Sequence, residues 1–88
     1  MTAADLIHHH ASRLDGLDIP ADGIIGVYTY HEELSIQIFD AAIANRLADT
    51  IGDRAAMELR ETTANGASVN HHRCPIRDRP NVFLVWCT

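Results

Sequence analysis

Apolar and polar residues alternate on both sides of a polar tip between Ile24 and Asp40, IIGVYTYHEELSIQIFD, and the second run leads straight into an amphipathic segment. A period of two belongs to a strand with one buried face, so this stretch predicts a β-hairpin that feeds a helix. With Glu32 and Glu33 at the tip, Thr29 opposes Ile36 and Val27 opposes Ile38. Ile25, Val27, Leu34, Ile36 and Ile38 then share a core face, while Tyr28, Tyr30, Ser35, Gln37 and Phe39 share the other.

Upstream, Leu6, Ile7, His10, Ala11 and Leu14 form one stripe at helical spacing, which predicts a helix from Ala3 to about Asp15. Thr2 followed by Asp5 resembles a capping box, and Gly16 with Leu17 suits a left-handed stop. Pro20-Ala21-Asp22-Gly23 reads as a turn. After the hairpin, Asp40 caps a helix from Ala41 to Ile51 along Ile43, Ala44, Leu47, Ala48 and Ile51, with Gly52 closing it.

The segment from Arg54 to Thr63 contains good helix formers, but Asn65-Gly66 between two runs is a hairpin signal, so it is read as a strand. A two-residue loop there sets Glu58 opposite Arg73 and Arg60 opposite His71, with Met57, Leu59, His72 and Cys74 on the other face. The closing run NVFLVWCT is continuously apolar from Val82 to Trp86, as expected of a strand placed centrally or covered on both faces. The order α-β-β-α-β-β-β defines a single α+β domain over residues 1–88, one mainly antiparallel sheet packed with two helices.

Composition narrows the function classes. The net charge is −5, split as −6 over residues 1–44 and +1 over residues 45–88. A net acidic chain disfavours direct binding to nucleic acid or an anionic membrane, and the acidic first half reads first as a solvated surface and second as a face that would steer towards a basic partner. Every cation is arginine, as codon usage in a GC-rich genome would produce. No run of about 18 apolar residues and no basic-then-apolar leader is seen, so a cytoplasmic protein is expected. Cys74 and Cys87 form no spaced framework and are expected to be free thiols.

Six histidines invite a metal reading, yet His8, His9 and His10 diverge by about 100° per residue on a helix and cannot meet on one ion. His10 falls on the apolar stripe and reads as a boundary or core histidine. His72 and Cys74 share a strand face, and Cys87 could approach them from the last strand to make a metal- or ligand-responsive site. The paired spacings usual for zinc are missing, so no cofactor is expected. No catalytic residue is assigned, because neither Cys74 nor Cys87 has more than a sequence-neighbour histidine in His72. Arg73, Arg77 and Arg79 flank a proline-bounded loop and form a candidate anion grip, weakened by Asp78 among them. Tyr28, Tyr30 and Phe39 are of the residue types that enrich interface cores, and that face needs a cover, either a helix of the same chain or a partner.

The succession of an N-terminal helix, the GVYTY-ELSIQIFD hairpin, the ANRLADTIG helix, the Asn-Gly hairpin and terminal VFLVWCT resembles small uncharacterised proteins of actinobacteria and their phages. That resemblance implies a phage or mobile-element setting in a bacterial cytoplasm. There, small acidic proteins often act by binding and redirecting a host protein, so the chain is expected to engage a host or phage protein without catalysis, as a monomer or a homodimer. It transfers no site residue.

Overall fold

The computed structural model describes residues Met1–Thr88 in the predicted order, two helices and one five-stranded sheet. Helix α1 spans Ala3–Ser12, strand β1 Ile24–Tyr30, β2 Glu33–Ile38, helix α2 Ala41–Thr50, β3 Glu58–Ala64, β4 Ala67–Pro75 and β5 Val82–Cys87. Both helix starts follow from their caps. Thr2 Oγ1 accepts from Asp5 N–H at 3.1 Å while Asp5 accepts from Thr2 N–H at 3.0 Å, and the Asp40 carboxylate accepts from Ala42 and Ile43. Hydrogen bonding from the Thr2 backbone N–H, and then from the Thr2 hydroxyl, holds the Asp5 carboxyl below the usual aspartate range.

α1 stops at Ser12, short of Asp15, and the chain then turns to Gly16, which takes the expected left-handed conformation at φ +82°. Gly52 follows α2 for a different reason than the one predicted. Its φ is not positive; instead a Cβ there would lie 2.7 Å from Cys74 Sγ and 2.8 Å from the Ala48 backbone. Only glycine lets β4 approach the end of α2 this closely.

The sheet order is β1-β2-β5-β4-β3, antiparallel except for the parallel β2–β5 pair. β5, last in the chain, is the central strand, which explains its unbroken apolarity: Val82, Leu84 and Trp86 are buried, and Phe83 and Val85 half-buried. The Asn65-Gly66 turn has positive φ at both residues, and its register pairs Glu58 with Arg73 and Arg60 with His71 as predicted.

The first hairpin departs from its predicted register by two residues. His31 and Glu32 form the tip, with His31 at φ +53°, and Thr29 opposes Leu34 while Val27 opposes Ile36. A slip of two keeps every side chain on its expected face. One residue does change sides: an irregularity between Ile24 and Gly26 brings Ile24 opposite Ile38 and leaves Ile25 exposed, so Ile24 replaces Ile25 against the core.

Leu34, Ile36, Ile38, Val82, Leu84, Trp86, Cys74 and Ile76 pack with Ala44, Leu47 and Ala48 of α2, and Leu14, Leu17 and Ile19 after α1 close the same cluster. Both helices therefore cover one face of the sheet, and the opposite face has no layer of its own. Arg13 reaches the Pro80 carbonyl at 2.7 Å and Arg79 the Asp15 carbonyl at 2.6 Å, tying the end of α1 to the β4–β5 loop. No helix is long and apolar enough to cross a membrane.

Candidate functional site

The uncovered face is built from alternate residues of all five strands: Tyr28 and Tyr30 of β1, Ser35 and Gln37 of β2, Phe83, Val85 and Cys87 of β5, His71 and Arg73 of β4, and Glu58 and Arg60 of β3. Pairing parity alone decides this, since strand neighbours point to opposite sides. At the β1 end, Tyr28 is 55% exposed and Tyr30 71%, and Phe39 beyond β2 is 78% exposed. None of the three is covered by either helix of the chain. Tyr28 folds its ring back over Gly26, where a Cβ would stand 2.8 Å from the phenol oxygen.

Across the middle and the β3 side the face dips into a shallow groove of about 810 Å³. Arg73 dominates its floor. Its Nη2 lies 2.9 Å from Glu33 on β2, its Nη1 3.8 Å from Glu58 on β3, and its guanidinium carbon 3.7 Å over the Phe83 ring of β5. One side chain thus links four strands. The ion pairs are partly exposed and contribute at most about 1 kcal/mol each, and the stacking on Phe83 about as much.

At the end of the groove, Cys87 Sγ lies 3.4 Å from His71 Nδ1, and His71 Nε2 lies 2.8 Å from Thr62 Oγ1. Thiol, imidazole and hydroxyl are arranged as a nucleophile, its base and an orienting group, and all three are exposed. The order makes Cys87 a thiol open to modification; water competes for each of these bonds. Sequence neighbours pointed to His72 as the histidine partner. The observed partner is its neighbour, because β4 pairs with β5 in a register that sets His71 opposite Cys87.

That same parity separates the three metal candidates. His72 and Cys74 lie on the helix side and Cys87 on the open side, and no group of three or more His, Cys, Asp or Glu side chains is placed to hold a metal ion. His72 stacks on Trp86 with ring centroids 5.0 Å apart, and its Nε2 meets Thr88 Oγ1 at 2.8 Å. His72 Nδ1 and Trp86 Nε1 are buried without a hydrogen-bond partner. Cys74 is wholly buried, and burial pushes its thiol pKa up.

The three candidate anion-binding arginines do not converge. Arg73 is on the open face, Arg77 Nη2 donates to the Thr50 carbonyl at the end of α2, and Arg79 donates to Asp15. The last two fasten loops to helix ends. His10, buried at 5% exposure as its stripe position implied, accepts from Arg13 Nη1 at 3.1 Å, since a guanidinium can only donate.

Comparison with known proteins finds no family model that matches the chain, and no curated protein or solved structure that is similar to it.

Proposed function

We propose that the chain is a non-enzymatic protein-interaction module that engages another protein through the uncovered face of its sheet. The observation that carries this reading is the one-sided covering of the sheet, with Tyr28, Tyr30 and Phe39 left exposed at 55%, 71% and 78%. Tyrosine offers large, rigid contact area with a polar end, the properties that concentrate binding energy in interface cores. Beside these aromatics, the Glu33–Arg73–Glu58 row supplies a polar rim already ordered on the sheet. The resemblance to actinobacterial and phage proteins supports a host or phage protein in a bacterial cytoplasm as the partner, and the acidic first half favours a basic one.

Affinity capture from an actinobacterial lysate, with the wild-type chain and a Tyr28→Ser/Tyr30→Ser variant side by side, tests the reading. A stoichiometric protein retained by the wild type and lost from a variant with an unchanged circular dichroism spectrum supports it. Equal retention by both chains contradicts it, as does a variant that fails to fold, because unfolding would mean these rings serve the protein's own packing.

A further inference from the structure

From the edge of the same sheet, we infer that β1 is a self-association strand, which pairs antiparallel with β1 of a second copy to make one continuous ten-stranded sheet. The inference deepens the interaction reading by naming one partner, the chain itself. It uses the edge of the sheet, whereas the proposed partner uses its face.

The two edges of the sheet differ in kind. β3 carries Glu58, Arg60 and Glu61 among its seven residues, the charges that keep an edge from pairing. β1, IIGVYTY, has no charge and no proline, and Ile25, Val27, Tyr28 and Tyr30 are each at least half exposed. The unpaired backbone groups of β1 can be assigned. Leu34, opposite Thr29, donates its N–H to Asn81 on the β5 side at 2.8 Å, so Thr29 and Leu34 are not a hydrogen-bonded pair. Bonding alternates along an antiparallel ladder, so Val27 and Thr29 point their N–H and C=O away from the sheet.

A two-fold axis through Tyr28 satisfies all of these groups. Val27 of each copy then exchanges both backbone bonds with Thr29 of the other, four bonds in all. Side-chain parity agrees: Gly26 faces Tyr30, Val27 faces Thr29 and Tyr28 faces Tyr28, each pair on one side of the sheet. A small residue meets a large one, two β-branched residues meet, and two aromatics meet, with no charge opposite a like charge. Because the pairing is isologous it closes at two copies.

The helix side of the edge fits the same occupant. Between α1 and β1 runs an apolar groove of about 440 Å³, bordered by Leu6, Ile7, Leu14 and Val27. Leu6 is 43% exposed and Ile7 67%. Pairing about Tyr28 makes the two grooves continuous and brings these residues of one copy towards those of the other. On the open side it sets Tyr28 and Tyr30 of both copies side by side, doubling the aromatic patch proposed above to receive a partner.

Mass measurement by light scattering, together with site-specific crosslinking, tests the inference. The wild type should run at twice 9.7 kDa and Val27→Lys at 9.7 kDa with an unchanged circular dichroism spectrum. Across the two-fold, the Cα atoms of residue 28 would be about 4.5 Å apart, within disulfide range. In a Cys87→Ser background, Tyr28→Cys should therefore form a covalent dimer on mild oxidation, while Ser35→Cys, on the same face but one strand inward, should not. A wild type of 9.7 kDa at every soluble concentration overturns the inference. So does crosslinking at position 28 no faster than at position 35, or a wild-type monomer that binds an added extended peptide along β1. Val27 lies on the helix side, so loss of the dimer in Val27→Lys with partner capture retained separates this inference from the reading of the face.

Discussion

Cys74 and Cys87 are the same residue in opposite circumstances. Cys74 is sealed between β4, α2 and Gly52, and burial raises its pKa; Cys87 is exposed and hydrogen-bonded to His71. A thiol reagent at neutral pH should label one cysteine per folded chain, with the second reacting only on unfolding; rapid labelling of both would show that the core opens. The raised pKa also sets a pH dependence. Folding favours the protonated Cys74 thiol, so that contribution is full below the pKa of an unfolded cysteine and is lost as pH climbs from there towards the higher folded value. Thermal melts across this alkaline range should show stability falling in the wild type and falling less in Cys74→Ala.

At the scale of elements, α2 and β4 meet so closely at Gly52 that no Cβ fits between them. Gly52→Ala would press a methyl group against the Ala48 backbone, which cannot swing aside as a side chain can. The expected cost is about 1–3 kcal/mol, seen as a drop in Tm of roughly 4–8 °C for each kcal/mol. An unchanged melting curve would mean that α2 shifts freely over the sheet. The predicted role of Gly52 as a helix stop was local, whereas its actual constraint comes from Cys74, 22 positions later in the chain. The same division runs through the whole fold. Caps, the place of both hairpins, the register of the second and the two faces of β1 and β2 depend on neighbours in sequence and were legible there, whereas the tip of the first, with no Asn or Gly to fix it, was placed one residue late. The displacement of Ile25 by Ile24, the seating of both helices on one face, and the pairing of Cys87 with His71 depend on which distant strands meet. Packing decides that, and no local pattern records it.

The molecule as a whole is longer than its chain length requires. Its radius of gyration is 13.6 Å, against about 12 Å for an 88-residue globule, and its extents are 44 × 28 × 25 Å. β4 pairs with β5 from His71 to Pro75, with Asn70 and Thr88 exchanging the last two backbone bonds, so the far part of the β3–β4 hairpin projects beyond the body with its residues largely exposed. Only 14 of 88 residues are buried, and most of them are on or against β2 and β5. The central place of β5 therefore has a consequence in time. Each hairpin closes over a short loop and can form by itself, but neither holds a core until the strand at the end of the chain slides between them. Joining β2 to β5 across more than 40 intervening residues carries a loop-closure cost that is expected to limit the folding rate. In stopped-flow refolding, Leu84→Ala should accordingly slow folding itself, whereas truncations in the β3–β4 tip should chiefly speed unfolding. The reverse pattern would mean that β5 docks only after the rate-limiting step and that formation of the β3–β4 hairpin limits folding.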